Sequence, residues 1–261
     1  MTKQVTTTKP KTIQEFFKQP KVVDKFNELL DGNSTNFITS VIQSVSGNDL
    51  LAKADINSIF QAAATAAVLN LPINNNLGLA YIVPYKGKAQ FQLGYKGFIR
   101  LAIRSGEYET ISSTPIYEGQ LLENNPLSGC KFDFSVPQKG EPIGYASYFM
   151  LKNGFNKLFY MTKEELTEHG KRYSKSYNHS SSIWKSDFKG MAQKTVLKLL
   201  ISKYGPMSLE MQKAVTSDQA VIKNFENDEF EYVDNSTPKD EANNVNDEFQ
   251  NATFEDDEEL I

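Results

Sequence analysis

Leu77 to Arg104 reads LGLAYIVPYKGKAQFQLGYKGFIRLAIR, and the rest of the chain is organised around it. Ala80 to Pro84 is a short apolar run, Lys86-Gly87-Lys88 is a turn, and a second alternating run passes through Phe91 and Leu93. Two such runs about a Gly-containing turn predict a β-hairpin. After Gly94-Tyr95-Lys96-Gly97 the pattern changes to that of a helix. At about 100° per residue, Lys96, Arg100 and Arg104 fall within about 80° of one another, and Phe98, Leu101 and Ala102 lie opposite. One face is suited to packing and the other presents a cationic row, at a spacing that suits a phosphate backbone. A solvated amphipathic helix has the same pattern, so the row gains meaning only from its surroundings.

Working outward toward the N-terminus, the apolar residues keep a helical period. Thr12-Ile13-Gln14-Glu15 is a capping box that opens a short helix, interrupted at Pro20. Val22, Val23, Phe26, Leu29 and Leu30 form a stripe ending at Gly32, and Phe37, Ile38, Val41, Ile42 and Val45 form another. Asn48 or Asp49 can cap a third helix carrying Ile56, Ile59, Phe60, Ala63 and Ala67, ending near Pro72. These stripes suit a core; the first could instead dock on a neighbouring subunit.

Beyond Gly106 the pattern turns to strands: Ile111 to Tyr117, Lys131 to Val136 and Tyr145 to Leu151, the last joined by Asn153-Gly154 to Phe155–Met161. Thr162-Lys163-Glu164-Glu165 is a second capping box, for a helix ending by Gly170. Lys171 to Ser182, KRYSKSYNHSSS, interleaves Lys171, Arg172 and Lys175 with Tyr173, Tyr177 and His179. Cations for phosphates beside aromatic faces for bases is what single-stranded nucleic acid needs; a flexible polar loop has the same composition. Trp184 to Tyr204 then predicts a long helix, loosened at Gly190. Lys185 and Lys189 share one face of it, and Lys194 and Lys198 another, swung by about 140°. Gly205-Pro206 ends it, and a weak helix is predicted from Ser208 to Phe225.

Charge is divided unevenly. Residues 224–261 hold 14 Asp or Glu against one Lys, a local charge of −13, while the remaining 223 residues hold 27 Lys or Arg and 18 Asp or Glu, a charge of +9. A basic body with an acidic appendage predicts a polyanion-binding domain carrying a regulatory or partner-binding tail. The tail has few apolar residues and is expected to be disordered. Cys130 is the single cysteine, which fits a reducing compartment. There is no N-terminal signal core and no apolar run near the roughly 18 residues that a membrane span requires, so a cytoplasmic protein is expected.

Several chemistries lack their residues. Gly87-Lys88 is followed by Ala89 and lacks the upstream glycine of a phosphate loop, which argues against ATP dependence. One cysteine and two histidines, His169 and His179, cannot build a Cys/His zinc site. His169 reads as a helix-end residue. Glu107 with Glu109, and Glu164 with Glu165, read as surface or capping positions.

Two blocks resemble a known family. LPINNNLGLAYIVPYKGKAQFQLGYKGFIRLAIRSG resembles the first shared block of the RecT family of phage single-strand annealing proteins, and WKSDFKGMAQKTVLKLLISKYGP resembles its second. The resemblance covers roughly residues 35–206, in matching order. It implies an ATP-independent recombinase that coats single-stranded DNA, assembles into rings or helical filaments and anneals complementary strands in a positive groove, without bond chemistry. Related families, including Redβ and the eukaryotic annealing recombinases, look similar in using a small sheet backed by helices. Carried onto this chain, the basic and aromatic positions are Tyr95, Lys96, Arg100 and Arg104, then Lys185, Lys189, Lys194 and Lys198. The residues themselves add Lys86 and Lys88 from the hairpin, and Arg172 and Lys175 from the polar loop.

The expected fold is therefore α+β, a small antiparallel sheet with hairpins backed by helices, followed by a disordered acidic tail. The expected divisions are an arm and helix over 1–34 for oligomer contacts, through Val22, Phe26 and Leu30; a DNA-binding and annealing core over 35–206; a linker or weak helix over 207–223; and the tail over 224–261. Expected partners are single-stranded DNA, annealed duplex and further copies of the chain, with a phage exonuclease or the host single-strand binding protein as tail partners in a bacterial cell. No cofactor is expected, Mg²⁺ at most modulating DNA binding. A non-annealing protector of single strands and a metal-dependent nuclease are the alternatives.

Overall fold

The computed structural model describes residues 12–125, 127–174, 176–180, 182–227 and 229–232. Helix α1 (Ile13–Phe17) starts as its capping box requires: Glu15 N–H donates to Thr12 Oγ1 at 3.1 Å and Thr12 N–H donates to Glu15 Oε2 at 3.3 Å. Pro20 occupies the first position of α2 (Pro20–Leu29), where a missing N–H has no helical partner to lose, so it begins a helix rather than merely interrupting one. After α3 (Ser34–Ser46), the single helix expected from Asn48 onward is two. Asn48 Oδ1 caps α4 (Asp49–Ala52) and Asp55 Oδ2 caps α5 (Ile56–Val68), accepting Ser58 N–H at 2.9 Å.

The first apolar stripe packs into the subunit's own core. Phe26 is fully buried, with ring centroids 5.8 Å from Phe17, 5.6 Å from Phe37 and 5.7 Å from Phe60; Val22 is buried and Leu30 half-buried against the same core. Val22 and Phe26, expected to serve oligomer contacts, are taken up by the subunit's own core. Helix α2 spends its apolar face on α3 and α5 of its own subunit, so residues 12–34 belong with the core that follows them.

Among the described residues, three antiparallel sheets follow. The hairpin of β1 (Ala80–Tyr85) and β2 (Lys88–Leu93) forms where expected, and helix α6 (Tyr95–Ser105) succeeds it. Strand β2 then pairs with β8 (Ala220–Asn224), and β8 with β9 (Glu229–Tyr232), giving the order β1-β2-β8-β9, with α5 packed on β2 and β8. The second sheet orders β3 (Tyr108–Ile116), β6 (Gly144–Leu151) and β7 (Asn156–Thr162). A two-stranded arm, β4 (Leu121–Asn125) with β5 (Gly129–Phe132), stands between β3 and β6 in sequence. Helix α7 (Lys163–Tyr173) runs three residues past Gly170. This is the α+β fold of small antiparallel sheets backed by helices that the sequence predicts.

Two differences bear on the site. The helix expected from Trp184 to Tyr204 breaks at Asp187, not at Gly190, giving α8 (Ile183–Ser186) and α9 (Phe188–Tyr204). Asp187 Oδ1 accepts Gly190 N–H at 2.9 Å, so its side chain restarts the helix, and a Cβ at position 190 would collide with that carboxylate. The weak helix expected over 208–225 is instead α10 (Leu209–Ser217) followed by β8: Asp218 is already extended, with ψ 128°, and Gln219 then turns the chain with a left-handed φ of 64°. The sheet then carries past Asn224 into the acidic segment, as β9. The tail beyond Tyr232, like residues 1–11, lies outside the described residues. Among the described residues no helix is long and apolar enough to cross a membrane.

Candidate nucleic-acid interface

The N-terminus of α6 is set by close backbone approach. Gly94 N–H donates to Leu79 O at 2.9 Å. A Cβ on Gly94 would lie inside the contact radius of Gly78 O, and one on Gly97 inside that of Leu79 O, so the GYKG turn is read by the LGL loop pressed against it. Phe98, Leu101 and Ala102 go into the core, and Lys96 and Arg100 are exposed. Tyr95 is half-buried against that core. No side chain caps α6, so its first-turn amide dipoles add to the positive potential beside Lys96.

Arg104, the third member of the row, is exposed as well and holds a surface ion pair. Its guanidinium donates to Glu210 Oε2 at 2.6 Å and to Leu69 O at 2.8 Å, tying α6 to α10 and to the end of α5. A position in the helical row was no guide to this, because Glu210 is remote in sequence.

The second block meets the first where α9 packs on α6. The Tyr81 hydroxyl is pushed above the ordinary phenol range by burial, then by Asp187 of the α8–α9 junction and by Tyr95. Gln92 Nε2 adds a contact of 3.7 Å to Met191 Sδ. Exposed Lys185 and Lys189 flank that junction on either side of Asp187. Lys185 Nζ donates to Asn178 O at 2.8 Å, which ties the polar loop to α8. Beneath them runs a ladder of rings: Tyr177 to Trp184 at 5.9 Å, Trp184 to Phe188 at 5.6 Å and Phe188 to Tyr145 at 6.2 Å.

Lys194 and Lys198 do not belong to this surface. Lys194 is buried and its Nζ donates to Asp218 Oδ1 at 2.7 Å; Lys198 Nζ reaches Asp218 Oδ2 at 3.2 Å. Asp218 is fully buried and also accepts Leu93 N–H at 2.9 Å. Burial pulls the Lys194 ammonium down to about 8 despite the carboxylate beside it. The expectation that Lys194 contacts DNA is corrected: the turn of the helix that carries it faces Asp218, and a spacing count on α9 cannot reveal a partner just before β8. Lys198 is half-buried in the same cluster.

The remaining positions are dispersed. Lys86 sits in the hairpin turn, 5.3 Å from the Tyr85 ring, and Lys88 pairs with Glu231 of β9 at 3.7 Å. Both lie at the far end of the hairpin, about 17 Å of strand away from Tyr81 and Lys96. Arg172 is in the last turn of α7, over the Tyr173 ring at 5.2 Å. Lys175 lies outside the described residues. Tyr177 is half-buried, its ring laid where a Cβ at Gly170 would fall, so it anchors the loop instead of standing free. His169 packs on Tyr173 at 4.5 Å, and burial, with Lys198 and Arg172 nearby, pulls its pKa to about 4. Tyr81, Asp187 and Asp218 escape the sequence reading. The first two sit inside the shared blocks without a charge or spacing that marks them, and Asp218 sits outside both.

A model of the RecT family matches residues 35–252. The chain belongs to the RecT family. It is 46% identical over 208 residues to Uncharacterized protein YqaK of Bacillus subtilis (strain 168), covering 79% of this chain and 72% of that one. It is 29% identical over 227 residues to Protein RecT of Escherichia coli (strain K12), covering 78% and 79%. The RecT match runs well past residue 206, into α10, β8 and β9. Membership makes this a DNA-binding protein of homologous recombination by single-strand annealing.

Proposed function

We propose that the chain anneals complementary DNA strands without ATP, as an oligomer, holding one strand along a surface made by Lys96 and Arg100 of α6 and by Lys185 and Lys189 at the α8–α9 junction. The observation that supports this reading is the packing of α6 of the first block on α9 of the second, with Gln92 Nε2 3.7 Å from Met191 Sδ, which brings four exposed cations to neighbouring elements. A cationic surface offsets the repulsion between two phosphate backbones and takes hold of any sequence alike. With the backbone held and the bases outward, pairing with a second strand supplies the specificity, and no bond is made or broken. Repetition of the surface from copy to copy would make it continuous. An exonuclease or a single-strand binding protein is a fitting partner for the acidic tail, and Mg²⁺ a modulator of binding.

Fluorescence-monitored annealing of complementary oligonucleotides, after removal of nucleotide, tests the reading. Duplex is expected to form faster with the protein than without it and at a rate indifferent to ATP. Strict dependence on ATP would overturn the mechanism. Slower duplex formation would make the protein a protector of single strands, and shortened labelled products in Mg²⁺ would make it a nuclease.

A further inference from the structure

Helix α9 has a second end, outside the surface described above. Lys203 and Tyr204 close it, and both meet β7 in a crossed arrangement. Lys203 Nζ stands 5.8 Å from the centroid of Phe159, and Lys157 Nζ stands 5.0 Å from that of Tyr204. Lys157 and Phe159 are two apart on β7, so the pleat puts both on the face that α9 covers. Beside them Tyr204 is 42% exposed, and Phe155, just past the Asn153-Gly154 turn, is 47% exposed and steadied by Phe149 at 6.0 Å. Among the described residues neither lysine has a carboxylate partner, unlike Lys25, Lys88, Lys131, Lys163 and Lys171.

A lysine over a ring is drawn to the ring's negative face, which restricts where it points without neutralising it. Lys157 and Lys203 therefore remain donors of charge and N–H, Lys157 beside the exposed Tyr204 ring and Lys203 over the half-buried Phe159 ring. Cation and accessible ring together are the two components of a sequence-tolerant single-strand contact, because every base has a face that can stack. Lys189 and Lys203 are about 21 Å apart along α9. The residues between them on that side, Gln193, Val196 and Leu200, are buried, so the first surface does not continue along the helix into this one.

We propose that Lys157, Lys203, Tyr204 and Phe155 form a second single-stranded DNA contact, which takes the incoming strand while the α6 and α8–α9 surface holds the first. The proposal rests on the annealing function proposed above. With two cations and two rings the contact is weaker than the first surface, as a strand that must slide to find its register requires.

The test uses the full chain with Lys157→Glu and Lys203→Glu combined, or both lysines changed to Gln if the charge reversals lower the melting temperature. Affinity for a first labelled oligonucleotide is expected to stay within twofold and assembly size by light scattering to stay the same. The rate at which a complementary strand anneals to precoated DNA is expected to fall at least tenfold. An unchanged rate would overturn the proposal. An equal loss of first-strand affinity would place these residues in the first surface, and smaller assemblies would make them a subunit contact; either result overturns it too. If the unaltered protein does not anneal at all, the function proposed above fails. The patch is then decided by whether protein saturated with one oligonucleotide retains a second, non-complementary one, and whether the double variant loses that retention.

Discussion

Asp218 holds the two RecT blocks together at the scale of a single residue. Its carboxylate takes Lys194 and Lys198 from the second block and the Leu93 N–H from the first, wholly out of water. Burying an ion pair costs desolvation that the attraction only just offsets, but removing one partner strands the other charge. Asp218→Asn is therefore expected to destabilise the fold by about 3–5 kcal/mol in urea titration. Combining Asp218→Asn with Lys194→Met should restore much of that loss, because the fully buried ammonium goes with its carboxylate. A double variant no more stable than the single one would assign the cost to Lys198 or to the Leu93 N–H instead. The cationic row sorts at the same scale: Arg100 and Arg104 are both exposed, and Arg104 is engaged by Glu210 and Leu69.

At the scale of elements, α2 shows how an amphipathic stripe chooses its partner. Val22 and Phe26 face α3 and α5, with Phe26 ringed by three phenylalanines. Phe26→Asp is expected to unfold the chain or lower its stability by at least about 3–5 kcal/mol, as for loss of a core phenylalanine. A folded variant of unchanged melting temperature that forms smaller assemblies would return the stripe to a subunit interface. The hairpin and α6 were legible because their periods switch cleanly from 2 to 3.6 around Gly94, and Thr12 announces α1 through its capping box. The break at Asp187 was not legible, because Gly190 is the more conspicuous breaker and the cap is a side-chain event. Strand β8 was hidden by the left-handed Gln219, a conformation that no glycine or asparagine signals. Of the candidate site, Lys96, Arg100, Lys185 and Lys189 were legible as exposed cations. The burial of Lys194 was not, since it depends on a carboxylate 24 residues away.

For the whole molecule, the division of charge is the feature that sequence and structure describe jointly. The acidic segment begins inside the fold: Glu226 pairs with Lys25 at 2.7 Å, and Glu231 stands between Lys88 and Lys223 at 3.7 and 3.5 Å. Carboxylates of this segment thus pair with body lysines outside the α6 and α8–α9 surface; we propose that the tail beyond them competes with DNA for that surface. The effect should be clearest in dilute buffer, since the Debye length is about 8 Å at physiological salt. Deleting residues 233–261 is expected to keep the melting temperature and to tighten single-strand binding most at low ionic strength. Deleting from Asn224 should also destabilise the chain, because it removes β9 and the Lys25–Glu226 contact. Binding no tighter at any salt concentration after the shorter deletion would refute competition by the tail.

The claim on which the account turns is that α6 and the α8–α9 junction form one DNA surface. Measuring single-strand affinity against salt for the variant Lys96→Ala, Arg100→Ala, Lys185→Ala and Lys189→Ala combined tests it most directly. Each lost phosphate contact lowers the slope of log affinity against log salt by roughly 0.7, so the four together should lower it by about 3, with affinity falling alike on all sequences and annealing slowing with it. A folded variant with the slope and affinity of the unaltered protein would contradict the account.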